Sequence, residues 1–222
     1  MWTPKEGLPQ SAVELSLVAV KYRHTPIYQF FIELNQQIAM LHPDVLALLH
    51  YIGANAASPI LELGPYIGGS TIAMAKGIAS GDRSQKITTV EKGEGYVHEK
   101  LTTPDIIMSL RDNLIRHEVE DQVNIVVGYS RDQAIVQQVA EYAKTTKFGC
   151  MVMDADGCVD DDLRCYKSLL QPRAYLVVDD YYAPGAPDKE AITRPQIDRL
   201  EQRGIVESFG VHGWGTWFGR LV

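Results

Sequence analysis

The sequence predicts an α/β fold: a mostly parallel sheet with helices on both faces, closed at one edge by an antiparallel arrangement. Three observations predict it. Apolar or β-branched runs at 59–63, 86–91, 122–127, 149–153 and 175–178 alternate with helical stretches at 70–79, 104–118, 131–145, 160–170 and 189–203, as in parallel strands joined by crossover helices. The segment PILELGPYIGGS, residues 59–70, passes from an apolar run through a glycine-rich turn into an alanine-rich helix. The end departs from the alternation: IVESFG at 205–210 and WGTWFGRL at 214–221 are two strand-like runs joined by a few residues.

Residues 1–28 are mixed and interrupted by Pro4, Pro9 and Pro26, and no element is assigned there. Segment 28–38 has apolar positions at helical spacing, and DVLALLHYIGANA reads as a second helix ending near Gly53. Residues 1–55 are therefore taken as a helical cap on a domain spanning 56–222. Pro104 suits the first turn of its helix, where a missing N–H costs little.

With 222 residues, 45% hydrophobic and 22% charged, the chain has the composition of a soluble globular protein. A net charge of -7 argues against nucleic acid or an anionic membrane as partner. Cys150, Cys158 and Cys165 follow no disulfide framework and read as free thiols. MWTPKEGLPQ lacks the pattern of a secretory leader, and no apolar run approaches a membrane span, so the expected location is cytoplasmic.

In open parallel sheets ligands sit beyond the carboxyl ends of the strands. The loop with Gly64, Gly68 and Gly69 lies at such an end, where glycine lets backbone approach a ligand. Glu62 at its base either meets a ligand ammonium or fixes the loop. Glu91 ends the next strand and is placed to take both hydroxyls of a ribose. GYSRD follows the third strand, so Ser130 and Arg131 would flank an adenine, while Asp132 suits a helix N-terminus. The loop lacks the lysine-serine or lysine-threonine ending of a phosphate cradle. With no sixth parallel strand for a second half-site, an adenosyl group is favoured over a dinucleotide.

MDADG ends the fourth strand and VVDDYY spans the end of the fifth. On adjacent strands, Asp154, Asp179 and Asp180 converge at one rim. Clustered carboxylates repel unless a cation intervenes, and hard oxygen donors suit magnesium or another divalent ion. Asp160, Asp161 and Asp162 read as first-turn helix charge, with one of them open to orienting a metal ligand.

These residues together resemble the class I S-adenosylmethionine-dependent methyltransferases, and within them the small metal-dependent O-methyltransferases of the catechol type. The resemblance covers about residues 55–222 and is carried by LELGPYIGGST, the three aspartates, PGAPD at 184–188 and the closing GTWFG. It implies a Rossmann-like seven-stranded sheet with an antiparallel last strand. It implies a cofactor site of Glu62, Gly64, Tyr66, Gly68, Ser70, Glu91, Ser130 and Asp154, with Glu62 and Gly64 near the methionine part and Ser70 at its carboxylate. Asp154, Asp179 and Asp180 match the magnesium site. A small hydroxylated metabolite and a homodimer are the implied partners.

Relatives often carry a lysine or histidine base three residues after the first metal aspartate, where this chain has Gly157. Asp156 and His24 are the substitute bases, with His212 a further candidate. Tyr66, Tyr181, Tyr182 and Trp217 are candidate walls of an acceptor pocket. N- or C-methylation, a nicotinamide-dependent oxidoreductase and a noncatalytic adenosyl-binding protein are the alternatives.

Overall fold

In the computed structural model, which describes residues 7–81, 84–98 and 100–222, seven strands form one sheet. They are β1 (Ile60–Leu63), β2 (Ile87–Glu91), β3 (Val123–Val127), β4 (Phe148–Met153), β5 (Leu170–Val178), β6 (Val206–His212) and β7 (Thr216–Leu221). Their order is β3-β2-β1-β4-β5-β7-β6. Neighbours from β3 to β5 are parallel, and β7 runs antiparallel to both β5 and β6. The expected seven-stranded, mostly parallel sheet is therefore present, with its last strand reversed. Chain order reverses at β1, between β2 and β4, which opens the crevice where ligands bind in such sheets.

Eight helices are described: α1 (Ala12–Arg23), α2 (Ile27–Gln37), α3 (Pro43–Asn55), α4 (Gly69–Ser80), α5 (Ile106–Arg116), α6 (Gln133–Tyr142), α7 (Val159–Tyr166) and α8 (Pro187–Gln202). Strand periodicity sorts the core into two layers. Cys150, Val152, Tyr175, Val177 and Phe218 face a cluster built with α1 to α5. Met151, Met153, Leu176, Val178 and Trp217 face a second cluster with α6, α7 and α8. The helix pair α3 and α4 packs closely because Gly53 and Gly77 have no side chain; a Cβ on either would overlap the carbonyl of Met74 or His50.

Helix α1 was not expected. Its buried residues Leu15, Val18, Ala19 and Tyr22 have helical spacing, but Val13, Leu17 and Val20 are exposed, so apolar residues on both faces blur the period. Arg23 of α1 and Tyr28 of α2 both hydrogen-bond the buried Asp44, which ties these helices to α3. Pro104 precedes its helix, because Asp105 is the cap and its carboxylate accepts the Met108 N–H at 2.9 Å. β5 begins earlier than expected, at Leu170. Pro4 lies outside the described residues. Among those residues, no helix is long and apolar enough to cross a membrane.

Candidate active site

The glycine loop between β1 and α4 is held from below. Glu62 is 1% exposed, and the hydroxyls of Ser70 and Thr71 each donate to it at 2.6 Å. Burial raises the Glu62 carboxyl above the usual range, and these hydroxyls partly offset the rise. Gly64 and Gly68 have φ of +79 and +99, the left-handed region that glycine enters most easily. Tyr66 enters it too, at φ +50, and its hydroxyl donates to the Leu101 carbonyl.

Above the loop lies a cavity of about 220 Å³. Gly64, Tyr66, Glu91, Ser130, Asp154 and Asp156 line it, so six of the expected residues from four different segments meet there. Glu62, Gly68 and Ser70 do not line it; Glu62 and Ser70 are engaged with each other, as loop support by Glu62 requires. Glu91 is 8% exposed and accepts the Gly93 N–H at 3.1 Å. Burial raises its carboxyl, with the amides of Gly93, Tyr66 and Lys92 opposing.

Arg131 binds Asp156, at 2.9 Å through Nη1, and its Nη1 also lies 3.3 Å from Asp162. That ion pair, first through its hydrogen bonds, holds Asp156 far below the usual carboxylate range. Paired in this way, Asp156 is held as an anion by Arg131, an arrangement that does not favour taking up a proton. Asp162 is 2% exposed and accepts from Ser130 at 3.5 Å. Burial pushes its carboxyl up to about 6. Its polar partners are Ser130 and Arg131, while Asp160 pairs with Arg199 and Asp161 with Arg164.

Asp154, Asp179 and Asp180 offer carboxylate oxygens that all lie within 4.8 Å of one another. Successive strand residues point to opposite faces, so adjacent aspartates converge only if the chain turns. It does: β5 stops at Val178, and Asp180 takes φ +58, a conformation Asp tolerates better than most residues. Thr216 donates to Asp179 at 2.5 Å. Burial, then Asp179 and Asp180, push the Asp154 carboxyl well above its ordinary value. Lys189 of α8 lies 2.8 Å from Asp180. Sequence reasoning missed it, since its only signal was a cation in the first turn of a helix, where the dipole disfavours one. Three carboxylate oxygen donors at this spacing fit a hard divalent cation.

A larger cleft, of about 700 Å³, opens beside the cluster. Its walls include all three aspartates, Met40, His42, Tyr96, His98, Tyr182, Lys189 and Trp214. Asp154, Lys189, Met40 and Tyr96 belong to both cavities. Of the expected aromatic walls, Tyr182 is here and Tyr66 lines the smaller cavity. Trp217 is 1% exposed and donates to Glu201 at 2.8 Å, so the tryptophan in the cleft is Trp214. Tyr181 donates to Asp198 at 2.8 Å and packs on the core. His24 caps α1 and lines neither cavity. His212 packs edge-on against Phe218 and likewise lines neither.

Comparison with protein families matches residues 27–201 to the rhamnosyl O-methyltransferase/CmcI family. The chain belongs to this family. It is an S-adenosylmethionine-dependent O-methyltransferase of class I, which removes the oxidoreductase and noncatalytic alternatives. No curated protein matches the chain. Among solved structures, the O-methyltransferase from Bacillus cereus in complex with SAH is 19% identical over 97% of this chain and 92% of its own, with a TM-score of 0.59. SAH-bound methyltransferase PaMTH1 from Podospora anserina is 17% identical over 98% and 90%, with a TM-score of 0.59. O-methyltransferase TomG from Streptomyces achromogenes, in complex with SAM, is 17% identical over 96% and 96%, with a TM-score of 0.58. At these identities the likeness concerns the fold.

Proposed function

We propose that this methyltransferase moves the methyl group of S-adenosylmethionine to a hydroxyl oxygen of a small metabolite, with a divalent cation held by Asp154, Asp179 and Asp180. The observation that carries the reading is the shared wall: Asp154 borders both the smaller cavity above the glycine loop and the larger cleft. A donor in one and an acceptor in the other would meet beside that carboxylate.

In the smaller cavity, Glu91 takes the ribose hydroxyls. Ser130, fixed with the Arg131–Asp156 pair, forms the adenine end. Gly64 and Tyr66 border the methionine end, with Glu62, Gly68 and Ser70 supporting the loop from behind. The described part of the 1–55 segment acts as a cap, because Met40, Leu41 and His42 close one side of the larger cleft. The cation, when bound, would orient the acceptor hydroxyl and lower its pKa. Transfer requires the acceptor oxygen, the methyl carbon and the sulfur in line, and the cap and loop walls supply that alignment.

Among the described residues, two histidines, His42 and His98, line the larger cleft. His42 accepts the Asp44 N–H on Nδ1 at 3.0 Å, and His98 accepts the Lys100 N–H on Nδ1 at 3.1 Å. In their neutral forms both rings therefore present Nε2–H, a donor. They hydrogen-bond an acceptor oxygen, and its proton leaves to water.

Calorimetry with S-adenosylhomocysteine, and methyl transfer to a panel of hydroxylated acceptors with and without a chelator, test this. Saturable cofactor binding and chelator-sensitive O-methyl product are expected. Full transfer in excess chelator, or product methylated on nitrogen or carbon, would overturn it.

A further inference from the structure

Lys189 stands where a lysine is unfavourable by local rules. It occupies the first turn of α8, whose N-terminus is the positive end of the helix dipole. Its ammonium is directed at the aspartate cluster, 2.8 Å from Asp180. Both groups lie in the wall of the larger cleft, together with Asp154 and Asp179.

The approach of α8 has an identifiable cause. Lys189 and Thr193 are four residues apart and share one helix face. Thr193 is fully buried, and its hydroxyl, which has no hydrogen-bond partner, lies 2.5 Å from where a Cβ on Gly157 would stand. Gly157 also holds φ +79. The residue without a side chain lets α8 settle on the 154–157 turn, and α8 brings Lys189 over the carboxylates.

We propose that Lys189 is a tethered cation that occupies the aspartate cluster in the metal-free protein, so that divalent metal binds by exchange with it. This rests on the metal site proposed above. Entry of the ion displaces the ammonium into the larger cleft, where 42% of the Lys189 side chain is already exposed. No bond is made or broken beyond coordination and hydrogen bonding. The exchange keeps a cation beside three part-buried carboxylates at all times, and it lowers the apparent metal affinity by the strength of the ion pair it must break.

The test uses Mn2+ as probe, with the full chain in the presence of S-adenosylhomocysteine. Calorimetry compares the wild type with Lys189→Met and Lys189→Gln. Both variants should bind Mn2+ on the order of tenfold more tightly or better, because a competing charge a few ångströms away is gone. In the wild type, mass-spectrometric acylation of Lys189 should rise when Mn2+ is added, a readout that survives even if the variants fold poorly. Equal or weaker Mn2+ binding by folded variants, or Lys189 acylation unchanged at saturating Mn2+, would overturn the exchange and leave the metal site standing. Absence of Mn2+ binding in wild type and both variants would remove the metal site and the exchange together.

Discussion

A β-carbon at residue 157 would stand 2.5 Å from the hydroxyl oxygen of Thr193, so the Asp154–Gly157 turn and α8 are fitted to each other. Gly157→Ala adds that clash to the cost of a side chain at φ +79. The expected loss is about 1–3 kcal/mol of unfolding free energy, read from urea titrations. Pairing it with Thr193→Ala should recover the steric share and leave the backbone share.

Glu62 ties the glycine loop to the start of α4 through Ser70 and Thr71. Glu62→Ala leaves the buried Ser70 and Thr71 hydroxyls without their acceptor. A stability loss of about 2–4 kcal/mol is expected by chemical denaturation, with cofactor affinity falling as a consequence.

Glu91→Gln keeps the shape but removes the charge from the proposed ribose contact. S-adenosylhomocysteine affinity should fall about 10- to 100-fold by calorimetry, the loss of a charge-assisted hydrogen-bond pair. Mn2+ affinity should be unchanged, which separates this effect from damage to the aspartate cluster.

Asp179→Asn removes one proposed metal donor and one source of repulsion acting on Asp154. Divalent-ion affinity should drop about 100-fold or more, while the metal-free protein melts at the same or a higher temperature. A variant that lost metal and also unfolded early would contradict the repulsion.

His50 sets a pH dependence far from the site. It is 3% exposed, its Nδ1 lies 2.7 Å from the Tyr22 hydroxyl, and its Nε2 has no partner. Burial lowers its pKa from 6.5 to about 4. Between those values the unfolded chain binds the proton and the folded one does not, so stability falls as pH drops from 6.5 towards 4. About 1–3 kcal/mol is expected over that window. Urea unfolding of His50→Gln, which retains an acceptor for Tyr22, should show a flatter profile.

Much of the architecture was legible because strands and helices in this chain differ in period and are separated by glycine-bearing turns. PILELGPYIGGS reads as strand, loop and helix from local chemistry, and MDADG and VVDDYY mark strand ends by the switch from apolar to acidic. Helix α1 was hidden because Val13, Leu17 and Val20 add apolar residues to the face that Leu15, Val18 and Tyr22 do not use. The tryptophan of the cleft was misassigned between Trp214 and Trp217 because strand periodicity does not say which face a hairpin turns to solvent.

The sequence by itself determined the layered α/β fold, the glycine loop, Glu91 as the end of β2, and the aspartates that end β4 and β5. These follow from hydrophobic period and from which residue types tolerate a strand end. Only the tertiary structure decided what those residues face. It turned Glu62 inward to Ser70 and Thr71, gave Asp156 to Arg131, and seated α8 on Gly157 so that Lys189 meets three carboxylates. The reason is physical: a partner contributed by a distant segment leaves no trace in local periodicity, because contact across the fold depends on how helices and strands pack and not on their spacing along the chain.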